Sequence, residues 1–402
     1  MKIRHVARIS ASNVDKKSAE GEVPVRLCNY LDVYNNERIT ADLDFMRATA
    51  SQEQIRQFHL NAGDVLITKD SETPGDIGVP AFVPHDIPGL VCGYHLAIVR
   101  PDPSVVDGRY LYWAIKSANT QAQFSAMASG ITRFGLRYES IGSVEIPVPP
   151  LATQHAIAKF LDGATVSLDQ VARRRQQIES LEVDRMASFA QASIDALNEY
   201  ERQPLKWAAS EITVGIVVTP ASWYADHGVR AIRGLNVKPG RIETHELVHL
   251  TAEGDQLNHK SRLHSGDIVV VRSGQAGSAA VVPPELEGAN CIDLVIVRPG
   301  PQLDSFFLEA ILNSPFCRSH IERYSVGSIQ SHFNVEAMAQ LHIPLPPIDV
   351  QRSWVAALGS HALKSHRNRA LMRRQIELLQ ERRRALVNAA VGGQIPIPGL
   401  AA

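Results

Sequence analysis

The sequence predicts a mixed α/β chain in which two pseudo-symmetric globular modules alternate with two long antiparallel coiled-coil helices. Three observations predict it. First, the chain repeats itself in order at an offset of about 200 residues: Gly63-Asp64-Val65-Leu66 returns as Gly266-Asp267-Ile268-Val269, Ile98-Val99-Arg100-Pro101 as Ile296-Val297-Arg298-Pro299, and Ile146-Pro147-Val148-Pro149-Pro150 as Ile343-Pro344-Leu345-Pro346-Pro347. Solenoid repeats run only about 20–50 residues, so this is a duplicated module. Second, each module carries short β-branched runs and then a helical pattern. Third, an apolar stripe follows each double proline.

The elements follow in chain order. In the first module (1–150), Val65–Thr68, 79–83 and 96–100 read as strands bounded by Gly, Pro and Asp. A helical pattern over 107–127 leads into a glycine-containing segment, 129–135. The first long helix (151–200) sets Ile157, Leu161, Ala164, Leu168, Val171 and Ile178 at alternating steps of three and four, interrupted by Arg175. Such a stripe is what coiled-coil packing requires. Pro disfavours helix in the residue before it, so each double proline enforces an extended entry.

Residues 198–204 link to the second module (201–347), with strands at 268–272, 279–282 and 294–298 and a helix over about 303–324. The second long helix (348–395) places Val355, Leu358, Ala362, Met372, Ile376, Leu379 and Leu386 on its seam, broken by Ser365, Arg369 and Arg383. With such breaks neither stripe would make a strong homodimer alone, so the two helices are expected to pack on each other. A helix of about 35–40 residues spans about 50–60 Å, the length of about 15–18 base pairs. Two modules joined by such an element suit a split DNA site.

Composition narrows the class. The 402 residues suffice for two or three domains. With 41 basic against 42 acidic residues and a net charge of −1, the chain is no histone-like coat, though local basic groups can still read DNA. Cys28, Cys92, Cys291 and Cys317 form no CxxC pair and read as reduced thiols. No secretory signal opens the chain, and no apolar run approaches the ~18 residues of a membrane span. The expected location is cytoplasmic.

In the order of these landmarks, the chain resembles the specificity subunits of type I restriction-modification enzymes. GDVLITKDSETPGDIGVPAFV and GDIVVVRSGQAGSAAVV carry the likeness in the modules. IPVPPLATQHAIAKFLD and IPLPPIDVQRSWVAALG carry it at the helix starts, and IESLEVDRMASF and IELLQERRRALVNAAVGGQI further along. Two departures stand out: Gln351-Arg352-Ser353-Trp354 at the second helix start, and Val391-Gly392-Gly393-Gln394-Ile395 at its end.

The resemblance implies target-recognition domains at 1–150 and 201–347, each binding half of a bipartite DNA site. It implies spacer helices at 151–200 (central conserved region) and 348–395 (distal conserved region). The chain itself would be non-catalytic and bind no cofactor. Its partners would be double-stranded DNA, two modification subunits carrying S-adenosylmethionine-dependent adenine methyltransferase, and optionally restriction subunits using ATP and Mg. Neither a Gly-x-x-x-x-Gly-Lys-[Ser/Thr] loop nor an Asn-Pro-Pro-Tyr-like motif occurs in the sequence.

Base reading needs side chains with paired donors and acceptors, Arg for guanine and Asn or Gln for adenine. The segment before each double proline supplies them: Thr132, Arg133, Arg137 and Tyr138 in the first module, and Ser328, Gln330, His332 and Asn334 in the second. The framework matches (Gly130 with Gly327, Leu136 with Phe333) while the polar residues differ. Strand ends offer Lys69, Arg272 and Gln275, and for Lys69 and Arg272 a structural salt bridge or a solvated turn is the competing role. Arg173, Arg174, Arg382 and Arg383 are candidate partner contacts, with a solvated helix face as the competing role.

His245-Glu246-Leu247-Val248-His249 is a literal HExxH match, which on a helix would bind zinc. Its flanks read as a turn into a short extended segment, so a zinc hydrolase is the distant alternative. A scaffold that binds the methyltransferase without reading DNA is the nearer one.

Overall fold

The computed structural model describes all residues except 273–275, 316, 318–333 and 400–402. The chain divides into two compact units, Met1–Ile178 with Met372–Ala402, and Glu179–Leu371. The division cuts both long helices, Leu151–Asp195 and Ile348–Val391, so each unit contains a piece of each.

In the first unit an antiparallel sheet runs in the order Ala7–Ala11, Leu96–Pro101, Val65–Thr68, Pro80–Phe82. Side chains alternate across a strand. Val65, Ile67, Ala97 and Val99 therefore enter one core with helix Gly108–Lys116 and the start of the long helix. Leu66, Leu96 and Ile98 enter another, beneath the sheet Met46–Ala50, Val23–Cys28, Leu90–Cys92. Burial on both faces is why these strands read as continuous apolar runs. The helix expected over 107–127 breaks at Ser117, whose extended backbone separates Gly108–Lys116 from Ala118–Met127.

The second unit repeats the order with Ala209–Val214, Leu294–Pro299, Ile268–Val271, Ala279–Val281. Ile268, Val270, Val295 and Val297 enter one core, and Val269, Val271, Leu294 and Ile296 the other. Its helix begins at Ser305 and is described to Leu312; the expected continuation toward 324 falls largely outside the described residues.

The repeated motifs are contacts made twice. Asp64, 1% exposed, takes both its oxygens to Arg100 at 2.8 Å and accepts the Asn61 N–H. Asp267 meets Arg298 at 3.5 Å and accepts the His264 N–H. The Gly-Asp and Val-Arg-Pro motifs are thus two ends of one ion pair. Gln154 and Gln351, both fully buried, form the other repeat. The Gln154 amide accepts the Asp107 N–H at 2.9 Å and donates to the Val105 and Pro149 carbonyls. Gln351 does the same with Asp304 N–H and the Gln302 and Pro346 carbonyls. The departure seen at the second helix start therefore begins after the glutamine, at Arg352. Trp354 fills a local need there, donating to the Ser193 carbonyl at 2.8 Å and packing edge-on against Phe307.

Within each unit the helix pieces run antiparallel. In the first, Ile157, Ala158 and Leu161 share a core with Val387, Ala390 and Val391. Arg175 meets the Met372 sulfur, and Arg383 meets Asp169 at 3.1 Å. In the second, Phe189 stacks on His361 at 3.7 Å, Ser365 donates to the Glu182 carbonyl, and Arg369 lies 4.0 Å from Glu179. The polar breaks in the stripes are cross-helix contacts, which bind the pair in one register.

Candidate nucleic-acid interface

In the first unit the Gly-Asp strand runs on past Thr68 into Asp70–Ser71, which pairs with Phe134–Gly135, which pairs in turn with Ser129–Gly130. The Leu136 N–H donates to the Lys69 carbonyl at 2.8 Å, tying the hairpin to the strand end. Three residues, Ile131, Thr132 and Arg133, form its tip, and all three are exposed. Gly130 makes the turn possible. Its φ is +150°, and a Cβ there would overlap the Arg133 carbonyl oxygen. Arg137 precedes helix Tyr138–Ser143, and both Arg137 and Tyr138 are exposed.

Arg133 lines a cleft of about 720 Å³ with Lys16, Tyr30, Tyr34, Met46, Asp70 and His95 among its walls. Tyr30 and Tyr34, four apart on helix Tyr30–Asn35, stack at 5.5 Å, and the Tyr34 hydroxyl donates to Asp76. Burial raises the Asp32 carboxyl above its ordinary pKa. Asp44 and Glu72 also face the cleft. An acidic, aromatic wall repels phosphate but offers acceptors to the exocyclic amino groups of adenine and cytosine. Sequence reasoning missed Tyr30, Tyr34 and Ile131; the one available signal was the i,i+4 tyrosine spacing.

The strand-end cations are engaged. Lys69 pairs with Asp70 at 2.9 Å, and Asp70 also takes His95 at 2.7 Å. Arg272, with its side chain 16% exposed, pairs with Asp293 at 2.7 Å. Both make salt bridges, because the ends of these strands turn their cations onto adjacent carboxylates. Asn334 likewise serves as a helix cap, its oxygen accepting the Ala337 N–H at 2.8 Å. Gln275, Ser328, Gln330 and His332 lie outside the described residues.

Of the helix arginines, Arg173, Arg174 and Arg382 are exposed. Arg383 differs from these three in its surroundings. Its side chain is 13% exposed, paired with Glu37 and Asp169 and set 5.7 Å from the Trp113 ring centre. Burial alone would raise the Glu37 pKa, yet Lys116 and Arg383 hold it below its ordinary value.

The HExxH residues share no helix face. His245 and Glu246 form a turn, with Glu246 at φ +58°, and His249 sits in strand Val248–Leu250 opposite Ala225 and Arg230. No described helix is long and apolar enough to cross a membrane.

Comparison with known proteins adds an independent line. Residues 2–180 match the type I restriction modification DNA specificity domain. The EcoBI specificity subunit of Escherichia coli is 24% identical over 275 residues, covering 61% of this chain and 57% of that relative. The MjaVIII specificity subunit of Methanocaldococcus jannaschii is 19% identical, over 86% of this chain and 82% of its own length. The chain thus spans little more than half of the first relative and most of the second. The crystal structure of the HsdS subunit from Thermoanaerobacter tengcongensis shares the fold, with TM-score 0.60 at 16% identity over 98% of this chain and 96% of that one. A chain from a study of complex assembly in the type I R-M system reaches 0.71 at 17% identity, over 98% and 97%.

Proposed function

We propose that the chain belongs to the type I restriction-modification specificity family, which its match at residues 2–180 and its likeness to the specificity subunits support, and that it is the DNA-reading subunit of such a system. Each module binds one half of a bipartite site, and the long helices set the gap and recruit adenine-methyltransferase subunits. The observation that carries this reading is a frame repeated twice, with unlike residues aligned between the two copies. Asp64–Arg100 with Gln154, and Asp267–Arg298 with Gln351, build the same scaffold. The residues aligned by sequence differ, Thr132 and Arg133 against Ile329 and Gln330. Two like scaffolds carrying unlike aligned residues are what two different half-sites require.

The chain performs no catalysis in this reading. S-adenosylmethionine belongs to two modification subunits, and ATP with Mg to a restriction subunit when one joins. Exposed Arg173, Arg174 and Arg382 are the partner-facing cations. Arg133, Arg137, Tyr138 and Thr132 are the DNA-facing groups of the first module.

The test is coexpression with the modification subunit encoded beside this chain, followed by genome-wide mapping of methylated adenines. A split motif is expected. Arg133→Ala should relax one half of it and Gln330→Ala the other. A complex that assembles and methylates nothing would refute the reading in favour of a scaffold.

A further inference from the structure

Ile131 is 94% exposed, the most exposed large apolar side chain among the described residues. It stands at the tip of a hairpin held by Gly130, with Thr132 and Arg133 beside it. Paired strands lie about 4.8 Å apart. A two-stranded ribbon with its side chains fits the major groove, about 12 Å wide, and not the minor groove of about 6 Å. On major-groove base edges the one apolar group is the thymine 5-methyl.

Resting on the proposed DNA-reading role, we infer that Ile131 reads a thymine of the first module's half-site by packing on its 5-methyl group. Water contact leaves the side chain an apolar area to bury, and the adjacent Arg133 supplies the polar partner for a neighbouring base. The aligned residue of the second module is Ser328, which has no such apolar surface, so the two modules differ here too.

The experiment uses this chain complexed with its modification subunit and duplexes carrying the mapped site. Each thymine of the half-site that depends on Arg133 is replaced singly by deoxyuridine, which removes only the methyl. Affinity is measured for the unaltered complex and for Ile131→Ala. One methyl is worth about fourfold in affinity. The unaltered complex should lose about that much at one thymine, and Ile131→Ala should lose nothing further at that position. Ile131→Val should restore part of the sensitivity.

A half-site without thymine overturns the inference, as does equal uracil sensitivity in both proteins at every position. Wild-type binding by Ile131→Ala also overturns it. Failure of the unaltered complex to bind any split site would instead sink the DNA-reading role itself. A side chain this exposed carries no folding contact, so matched melting curves will confirm that only the interface changed.

Discussion

Asp64 and Asp267 occupy the same place in their units, so replacing each with asparagine probes one motif in two electrostatic settings. Asp64 is buried and bound through both oxygens to Arg100, whose guanidinium is held above its ordinary pKa by those hydrogen bonds. Removing one partner of a buried pair costs about 3–5 kcal/mol. Arg100 keeps the His59 carbonyl and some solvent, and the introduced amide oxygen can still accept the Asn61 N–H. Asp64→Asn should therefore cost about 3 kcal/mol, the low end of that range.

Asp267 differs. Arg298 lies 3.5 Å away and also pairs with Glu211 and donates to the Arg262 carbonyl. Burial pushes the Asp267 carboxyl above its ordinary pKa, so the fold disfavours its charge. Asp267→Asn should cost no more than about 1 kcal/mol. A raised folded pKa means that this group's contribution to stability is greatest at low pH and is lost as pH rises from the unfolded value of about 4 through the folded one. The asparagine variant should lose that slope.

Amide hydrogen exchange at Val65–Thr68 and Ile268–Val271 separates the two units in one sample. Equal destabilisation by the two substitutions would refute the reasoning. So would an Asp64–Arg100 double-mutant coupling below about 1 kcal/mol.

Further outcomes follow from single contacts. Gln154→Leu and Gln351→Leu each strand an N–H and two carbonyls, and urea titration should show a loss of about 3 kcal/mol for either. Gly108→Ala should disrupt the first unit, since a Cβ there would overlap the Gly63 carbonyl oxygen. The equivalent Ser305→Gly loses one 2.7 Å hydrogen bond to the Gly266 carbonyl and should lower stability by about 1 kcal/mol in thermal melts. Arg383→Met, by removing one of the two cations that face Glu37, should raise the Glu37 pKa, read by carboxylate NMR titration; an unchanged value would contradict the assigned pairing. Purified protein should bind no zinc through His245 and His249, and one equivalent lost on His249→Ala would overturn the turn-and-strand reading.

Order of motifs, alternation within strands and the apolar stripes are local properties, so the duplicated modules and the paired helices were legible in the sequence. The meaning of the motifs was not. Asp64 meets Arg100 across 36 residues, and Gln154 reaches Asp107 across 47; both contacts exist only after the sheet register and helix entry bring distant segments together. Arg382, Arg383 and Arg384 read as one basic run, yet each helical residue turns about 100°, and only packing shows that Arg383 points inward. Lys69 and Arg272 looked alike as DNA-facing cations until their neighbours' carboxylates were placed. Sequence alone determined that there are two frames and that the residues aligned between them differ. Tertiary structure decided which polar groups the frame consumes and which, like Arg133 and Ile131, it leaves exposed, because burial and pairing depend on residues far apart in the chain.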